Sequence, residues 1–457
     1  FMRRIDIIKR AGRNLRHARM RTILTVLAIG VGGFAITASL MAGEGARQYI
    51  DRIIANNINP KGLIIVKDKK LVQAAATTGA ASGLREYNPN ATSYYGQDYE
   101  SVTQADIDKL RQNKQIKNVE PLYQLQPKYI DFSNVKDKKY IGNVMMRDNS
   151  IRTETAAGKS LDAGVELKAN EAVLPESYLK TLGVKHPYDI IGQKLTVVAV
   201  QTPQKVDNQA IAKAYAEGGE AAVRTLVEPK ELRKEFTIVA VTKKSPDQMA
   251  NQSSISIAPS AAKEISEFST VGTDAYQKYL TVTATTADGI SPDTAKESLE
   301  KSGFHAMTAR DAQQMLFQFV NILQTIVLSF GVLALIVSVF GIVNTQYISV
   351  LERTQQIGLM KALGASRRDI GKLFRYESAW IGFFGGAVGI LLAWITGAAL
   401  NPAISNAIGL GKNHLLIFTP SAGIIVLVLL VVVAMLAGFF PSRKAAKLDP
   451  IEALRTE

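Results

Sequence analysis

Residues 22–42 contain no charged side chain. At about 1.5 Å per residue a helix of that length spans roughly 30 Å, the hydrocarbon thickness of one bilayer. Comparable apolar runs cover residues 326–343, 378–400 and 421–440. Backbone in lipid must satisfy its own hydrogen bonds, so each run reads as a transmembrane helix. The 457-residue chain is 47% hydrophobic and still 21% charged, which fits spans joined to a water-exposed part. The expected fold is a membrane protein with four transmembrane helices and a large extracytoplasmic α+β domain between helices 1 and 2.

Net charge is +14, and its placement sets the orientation. Residues 1–21 carry eight Lys or Arg against one acid, residues 350–377 six against three, and residues 441–457 four against three. These stretches hold most of the excess, so a nucleic-acid-binding domain is a poor explanation. With four spans all three fall on one side, the cytoplasmic one by the positive-inside rule. The reading divides the chain into a cytoplasmic amphipathic helix (1–21), helix 1 (22–42), the outer domain with helical stalks at both ends (43–315), a stalk and helix 2 (316–349), and a cytoplasmic segment (350–377). Helix 3 (378–400), a short outer loop (401–420), helix 4 (421–440) and a cytoplasmic tail (441–457) follow. Phe1 precedes Met2 and reads as a remnant ahead of the start. The apolar run 22–42 exceeds the usual signal-peptide core and is not followed by a clear A-x-A site, so it reads as an uncleaved anchor.

Residues 3–21 place Ile5, Ile8, Gly12 and Leu15 on one side, as an interfacial helix would. Residues 44–58 continue the helical period until Asn59-Pro60 and Gly62 end it. A matching pattern over 308–322 suggests an antiparallel helical stalk. Between them, strand patterns fall at 63–66, 129–132, 172–174, 195–200, 236–242, 254–258 and 280–286, with helical patterns at 104–112 and 177–182. Residues 74–100 read as a mobile loop in which Tyr94, Tyr95 and Tyr99 could contact a ligand, or simply face solvent. Residues 203–235 form an insertion with two helices, 210–217 and 220–227, hinged at Gly218-Gly219. Tyr215 and Leu226 on its apolar face are candidate substrate or partner contacts; a hairpin packed on its own domain is the alternative. Gly382, Gly385, Gly386 and Gly389 make overlapping G-x-x-x-G patterns, for packing within one subunit or between two.

Chemistry of an engine is not evident. His17, His186, His305 and His414 are scattered, Ala157-Gly158-Lys159-Ser160 lacks the upstream glycine of a phosphate loop, and there is no cysteine. Instead, residues 352–374 form a basic amphipathic elbow. Ile357, Met360 and Leu363 share a helical face, Gly364 suits a C-cap, and Ser366 with Asp369 suits a capping box. An ordinary cytosolic loop would carry the same charges.

The elbow carries a resemblance. Glu352-Arg353-Thr354, Ile357-Gly358 and Lys361-Ala362-Leu363-Gly364-Ala365-Ser366 resemble the cytoplasmic connection of MacB/FtsX/LolC-type permeases, the type VII ABC transporters. Gln356 stands where a glutamate is usual. The closing residues 441–455, the opening residues 14–25 and the pattern of one span, an outer domain and three spans are similar too. The resemblance implies a MacB-like outer domain, possibly in two lobes, and a chain that is not itself an enzyme and binds no cofactor. ATP and Mg would be used by a separate cytoplasmic ABC ATPase, two per assembly. Gln356, Ile357, Gly358, Lys361, Ala362, Leu363, Gly364, Ala365, Ser366, Arg367 and Arg368 would couple to it. Further implied partners are a second copy of the permease or a close paralogue, an extracytoplasmic adaptor or hydrolase, and membrane lipids, in a bacterial cytoplasmic membrane with both termini inside. Export of a drug, peptide or other amphipathic molecule is the leading expectation. Regulation of a cell-wall enzyme or sensor without transport is the alternative.

Overall fold

A computed structural model of the chain describes residues 4–14, 19–74, 91–94, 97–123, 125, 127–135, 138–201, 207–244, 253–408, 410–411 and 413–455. Its helices are α1 (Arg4–Asn14), α2 (Arg19–Asn57), α3 (Lys69–Ala74), α4 (Gln104–Arg111), α5 (Asn208–Val227), α6 (Pro259–Thr270) and α7 (Pro292–Lys301). They are followed by α8 (Ala309–Glu352), α9 (Thr354–Ala362), α10 (Arg367–Ala407), α11 (Pro420–Ala437), α12 (Phe439–Lys447) and α13 (Pro450–Arg455). Among the described residues, four stretches are long and apolar enough to cross a membrane: Met20–Asn57, Ala309–Glu352, Arg367–Ala407 and Pro420–Lys447. The chain divides into two compact units, Phe1–Ile50 with Leu316–Glu457, and Asp51–Met315.

In the helical unit, α2 and α8 run antiparallel. Arg21 donates to both carboxylate oxygens of Glu352 at 3.0 and 2.9 Å, Thr25 and Thr345 hydroxyls meet at 3.0 Å, and Arg47 donates to Asn321 at 2.8 Å. In the other unit the same two helices meet where Gln313 donates to Asp51 at 2.6 Å. The glycines of α10 are spent inside the subunit. A Cβ at Gly385 would stand 2.7 Å from Ile29 on α2, and one at Gly382 2.6 Å from Ala434 on α11. Ile29, Ile36, Leu335, Ile342, Ile381, Val426 and Leu430 fill the space between the helices. Phe330, Val337, Phe340 and Leu436 point outward, as a lipid-facing surface requires. The connection between α10 and α11 is held by Asn401, which exchanges two hydrogen bonds of 2.9 Å with the backbone of Leu416.

The expected stripe of α1 is described in part: Gly12 lies against Trp380 of α10, a Cβ there standing 3.5 Å from the indole nitrogen, and the side chain of Ile5 lies outside the described residues. Ile7 and Ala11 are buried against Leu373 of α10, and the Trp380 indole donates to the Ile8 carbonyl at 3.2 Å. This burial turns the helix onto its own bundle. Leu15 lies outside the described residues, as does His17.

The second unit is α+β. One antiparallel sheet orders the strands His305–Thr308, Gly62–Val66, Val282–Thr286 and Ile116–Pro121. A larger mixed sheet runs Lys139–Tyr140, Pro127–Phe132, Lys194–Val200, Glu231–Thr242, Glu171–Pro175, Ser254–Ile257 and Asn143–Met146, with Thr155–Gly158 also paired to Glu231–Thr242. The core holds Leu63, Ile65, Val173, Leu174, Leu195, Phe236, Ile238 and Ile257; Leu63 with Ile65 and Phe236 with Ile238 follow the period of 2, whereas Val173 and Leu174 are neighbours in a strand buried on both faces.

Two polar boxes fix the entry of helices. Thr103 and Asp106 cap α4 reciprocally, and Asp106 also accepts from Lys67 at 3.1 Å. Burial pushes the Asp106 carboxyl up, but the donors of Thr103 and Lys67 outweigh it and hold the group below its ordinary range. Thr308 and Asp311 repeat the geometry at the start of α8, with Lys296 at 2.9 Å.

Several expectations change. The strand placed at 236–242 begins at Glu231, because residues 231–237 pair with Lys194–Val200. The helix placed at 177–182 is a single 3-10 turn, Glu176–Tyr178. The helix that carries the span read as 378–400 continues to Ala407 through Pro402. Within the expected loop 74–100, Ala91–Tyr94 and Gln97–Glu100 pair as antiparallel strands, and Tyr99 is buried. Strands with little alternation, such as Asn143–Met146 and Thr155–Gly158, were not legible, nor were α6 and α7.

Candidate coupling site

Helix α8 stops at Glu352, and Arg353 (φ −113°, ψ 20°) leaves helical geometry before α9 begins. α9 then ends on a left-handed glycine. Gly364 has φ +95°, its N–H bonds to the Lys361 carbonyl at 3.0 Å, and the Ala365 N–H reaches Met360 at 2.9 Å. This pair of bonds is a Schellman stop, which favours glycine at that position. Ser366 restarts the chain as N-cap of α10. The Asp369 N–H donates to its hydroxyl at 3.1 Å, and that hydroxyl donates back to the Asp369 carboxylate at 2.7 Å. The elbow expected from the spacing of Gly364, Ser366 and Asp369 is present.

The structure separates the eleven expected coupling residues into two groups. Gln356, Ala362, Leu363, Gly364, Ser366, Arg367 and Arg368 are exposed. Ile357 and Gly358 are buried and Ala365 is half-buried, so these hold the elbow rather than present it. Lys361 also turns inward: its ammonium donates to the carbonyls of Ala446, at 3.2 Å, and Leu448, where α12 ends. Cations suit a helix C-terminus, whose last carbonyls lack partners. Beside it, a Cβ at Gly358 would stand 2.9 Å from Ala453 and 3.4 Å from Leu454, so α13 lies against α9 at this glycine.

Two ion pairs brace the junction. Arg21–Glu352 ties α2 to the last turn of α8 at 2.9 Å, and Arg353–Glu377 ties the break to α10 at 3.5 Å. The Glu377 side chain is only 4% exposed, and breaking a buried pair leaves an uncompensated charge. Glu377 was missed in the sequence because it adjoins a span among the other charges of residues 350–377. Its burial was invisible.

The remaining candidates do not converge. Tyr95 lies outside the described residues; Tyr94 ends its strand opposite Gln97, and its side chain is likewise outside them. Tyr215 and Leu226 are exposed on α5, which breaks at Gly218 and Gly219 as expected. Lys159 pairs with Glu171 at 3.1 Å and Gly158 sits in a strand, so the partial phosphate-loop pattern is sheet structure. A cleft of about 350 Å³ between the two sheets, lined by Asn57, Asn118, Glu120, Arg147 and Glu166 among others, was not expected. Partial burial and the nearby Glu166 and Asp148 carboxylates push Glu120 up.

A bundle of four membrane-length helices, an α+β domain between the first two and a capped elbow between the second and third define an ABC permease architecture. Family models agree on the whole arrangement: MacB-like periplasmic core domain over residues 22–302 and FtsX-like permease C-terminal over residues 328–450. The chain belongs to the MacB/FtsX family of ABC transporter permeases. It is 24% identical over 476 aligned residues to the ABC transporter permease YtrF of Bacillus subtilis, a match covering 100% of both chains. It is 32% identical over 193 residues to the uncharacterized ABC transporter permease MJ1507 of Methanocaldococcus jannaschii, covering 41% of this chain and 48% of that one. The macrolide export ATP-binding/permease protein MacB of Pasteurella multocida is 30% identical over 184 residues, 38% of this chain and 27% of its own length. This chain thus spans less than half of MJ1507 and about a quarter of that MacB.

Proposed function

We propose that this chain is the permease subunit of an ABC exporter driven by a separate ATP-binding subunit. The observation that carries the reading is the exposed elbow. A Schellman stop at Gly364 and a cap at Ser366 hold Leu363, Arg367 and Arg368 in the open, as a docking element needs and a passive loop does not. The three basic stretches support a reading in which this elbow and the segments 1–21 and 441–457 face the cytoplasm from an inner membrane. ATP with Mg is used by the partner, two copies of which serve two copies of the permease.

The antiparallel α2–α8 pair is the transmission. Packed helices deform little, so displacement at the elbow is carried along them. The cargo is an amphipathic molecule handled outside the membrane, in keeping with the export named for the MacB relatives. The test is co-purification from native membranes followed by mass spectrometry and ATPase assay. Gly364→Val, which places a β-branched residue at φ +95°, is expected to uncouple ATP hydrolysis from export while the permease still inserts. Normal coupling in that variant, or no ATP-binding subunit in the purified assembly, defeats the reading.

A further inference from the structure

We propose that the α+β unit binds an amino sugar, a hydroxylated ring carrying an ammonium group, in the cleft between its two sheets. Binding there involves no ATP, so the site goes beyond the exporter reading and is tested separately from it. The floor is one face of the four-stranded sheet. Alternation turns Leu63, Ile65, Val282 and Ala284 into the core. The positions between them form a row on the other face: Ile64 stands opposite both Met307 and Thr283, and Thr283 opposite Glu120. Met307, Ile64 and Thr283 are half-buried although they point away from the core. Residues 147–151, with Gly164 and Glu166, form the facing wall. The enclosed volume, about 350 Å³, falls at the small end of ligand pockets, which run from roughly 300 to 1,000 Å³. The wall is fixed in advance by Arg147, 5% exposed, whose guanidinium donates to the Thr153 hydroxyl at 3.1 Å and the Leu161 carbonyl at 3.0 Å. A wall already ordered lowers the entropy lost on binding.

The chemistry of the lining selects the ligand. Glu120, Asp148 and Glu166 all border the cleft, and none of them forms an ion pair among the described residues. Glu120 is raised by burial and by the other two, as expected where negative charge gathers without a counter-ion. The guanidinium of Arg147 is taken up by neutral oxygens instead. Two further lining atoms are buried without a partner: the Asn149 side-chain oxygen, an acceptor, and Arg147 Nε, a donor. The carboxylates stand too far apart to hold one metal ion together. An ammonium group answers them, and a hydroxyl, which both donates and accepts, answers Asn149 and Arg147. Hydroxyls also match the polar side chains of Asn118, Ser150 and Thr285, and the C–H face of a sugar ring covers Ile64 and Met307. A plain polyamine would meet the carboxylates but leave Arg147 Nε without an acceptor.

The experiment is isothermal titration of the full permease in nanodiscs, without ATP and at constant ionic strength. The probes are the glucosamine disaccharide, its N-acetylated form and spermidine. The glucosamine disaccharide is expected to bind. The N-acetylated form keeps the rings and hydroxyls but loses the charge, and should bind at least about tenfold more weakly, the scale of one hydrogen bond to a charged group. Glu120→Gln and Glu166→Gln should each weaken binding of the glucosamine disaccharide by about tenfold. Both residues are exposed, so the melting temperature should stay at the wild-type value. No binding of the glucosamine disaccharide, equal binding of its N-acetylated form, or wild-type affinity in both variants overturns the site. Spermidine binding as tightly as the disaccharide reduces the cleft to an acidic patch and overturns the inference as well. None of these results bears on coupling to the ATP-binding subunit, so the exporter reading is judged by its own test.

Discussion

Replacing Gly389 with Ala tests how tightly α2 and α10 are held. A Cβ at this position would stand 2.5 Å from the Gly30 carbonyl oxygen, 2.8 Å from the Phe34 nitrogen and 3.1 Å from the Gly33 carbonyl carbon. All three are main-chain atoms of α2, so no rotamer change relieves the contact. Restoring ordinary separation moves the helices apart by roughly 0.9 Å, and a gap of that size forfeits a quarter to a half of each dispersion contact nearby. Gly385, whose own Cβ position is 2.7 Å from Ile29, lies one turn away in the same seam. Overpacking of this kind destabilises by about 1–3 kcal/mol. Gly341 of α8 is the control, because a Cβ there meets nothing within 4 Å. Gly341→Ala should be neutral or stabilising by up to about 1 kcal/mol, from helix propensity. Both tryptophans, Trp380 and Trp394, lie on α10, so intrinsic fluorescence during thermal unfolding in nanodiscs reports on this helix. Gly389→Ala should melt below wild type and Gly341→Ala at or above it. A Gly389→Ala protein as stable as wild type, or an equal loss in both variants, refutes the close-packing argument.

Asp106→Ala should destabilise the outer unit by about 1–3 kcal/mol at neutral pH, since it removes a buried acceptor of Thr103 and Lys67. The Asp106 pKa is lowered on folding, so its contribution is present above the unfolded value of about 3.9 and is lost as pH falls through the folded value. The gap in melting temperature between variant and wild type should therefore narrow in acid; a pH-independent gap contradicts this account. Thr25→Cys with Thr345→Cys should form a disulfide within one chain, because the two hydroxyls are 3.0 Å apart and the native chain has no cysteine to compete. Failure to cross-link under oxidant, read by gel mobility after cleavage between the two positions, would contradict the antiparallel α2–α8 pairing. Gly45, an apparently convenient cysteine position on α2, is unsuitable, since a Cβ there would stand 1.8 Å from the Leu415 carbonyl oxygen. Excising residues 203–229 in favour of a short Gly-Ser turn should leave the fold intact, because pairing of Lys194–Val200 resumes at Glu231. Under the proposed export function, loss of that function with normal folding and ATPase assembly would assign the α5 hairpin a contact role, and full function would deny it.

Local features of this protein were legible because their causes are local. A charge-free run of bilayer length has one stable conformation in lipid, so the spans could be located without tertiary information. The stop at Gly364 and the restart at Ser366 and Asp369 depend on neighbouring backbone and side-chain groups, and their geometry follows the spacing. The Gly218-Gly219 break in α5 has the same origin. Tertiary packing decided which surfaces face partners. Ile7 was identified as an inward anchor of α1 only by its contact with α10. The α10 glycines admit either an internal or an external partner in sequence, and the close approach of α2 and α11 made them internal. Lys361 carries the same charge as Arg367 and Arg368. It was drawn to the open carbonyls of α12, 85 and more residues away, while they remained exposed. Periodicity reports the faces of an element, but the identity of what covers a face depends on long-range packing that no window of the sequence contains.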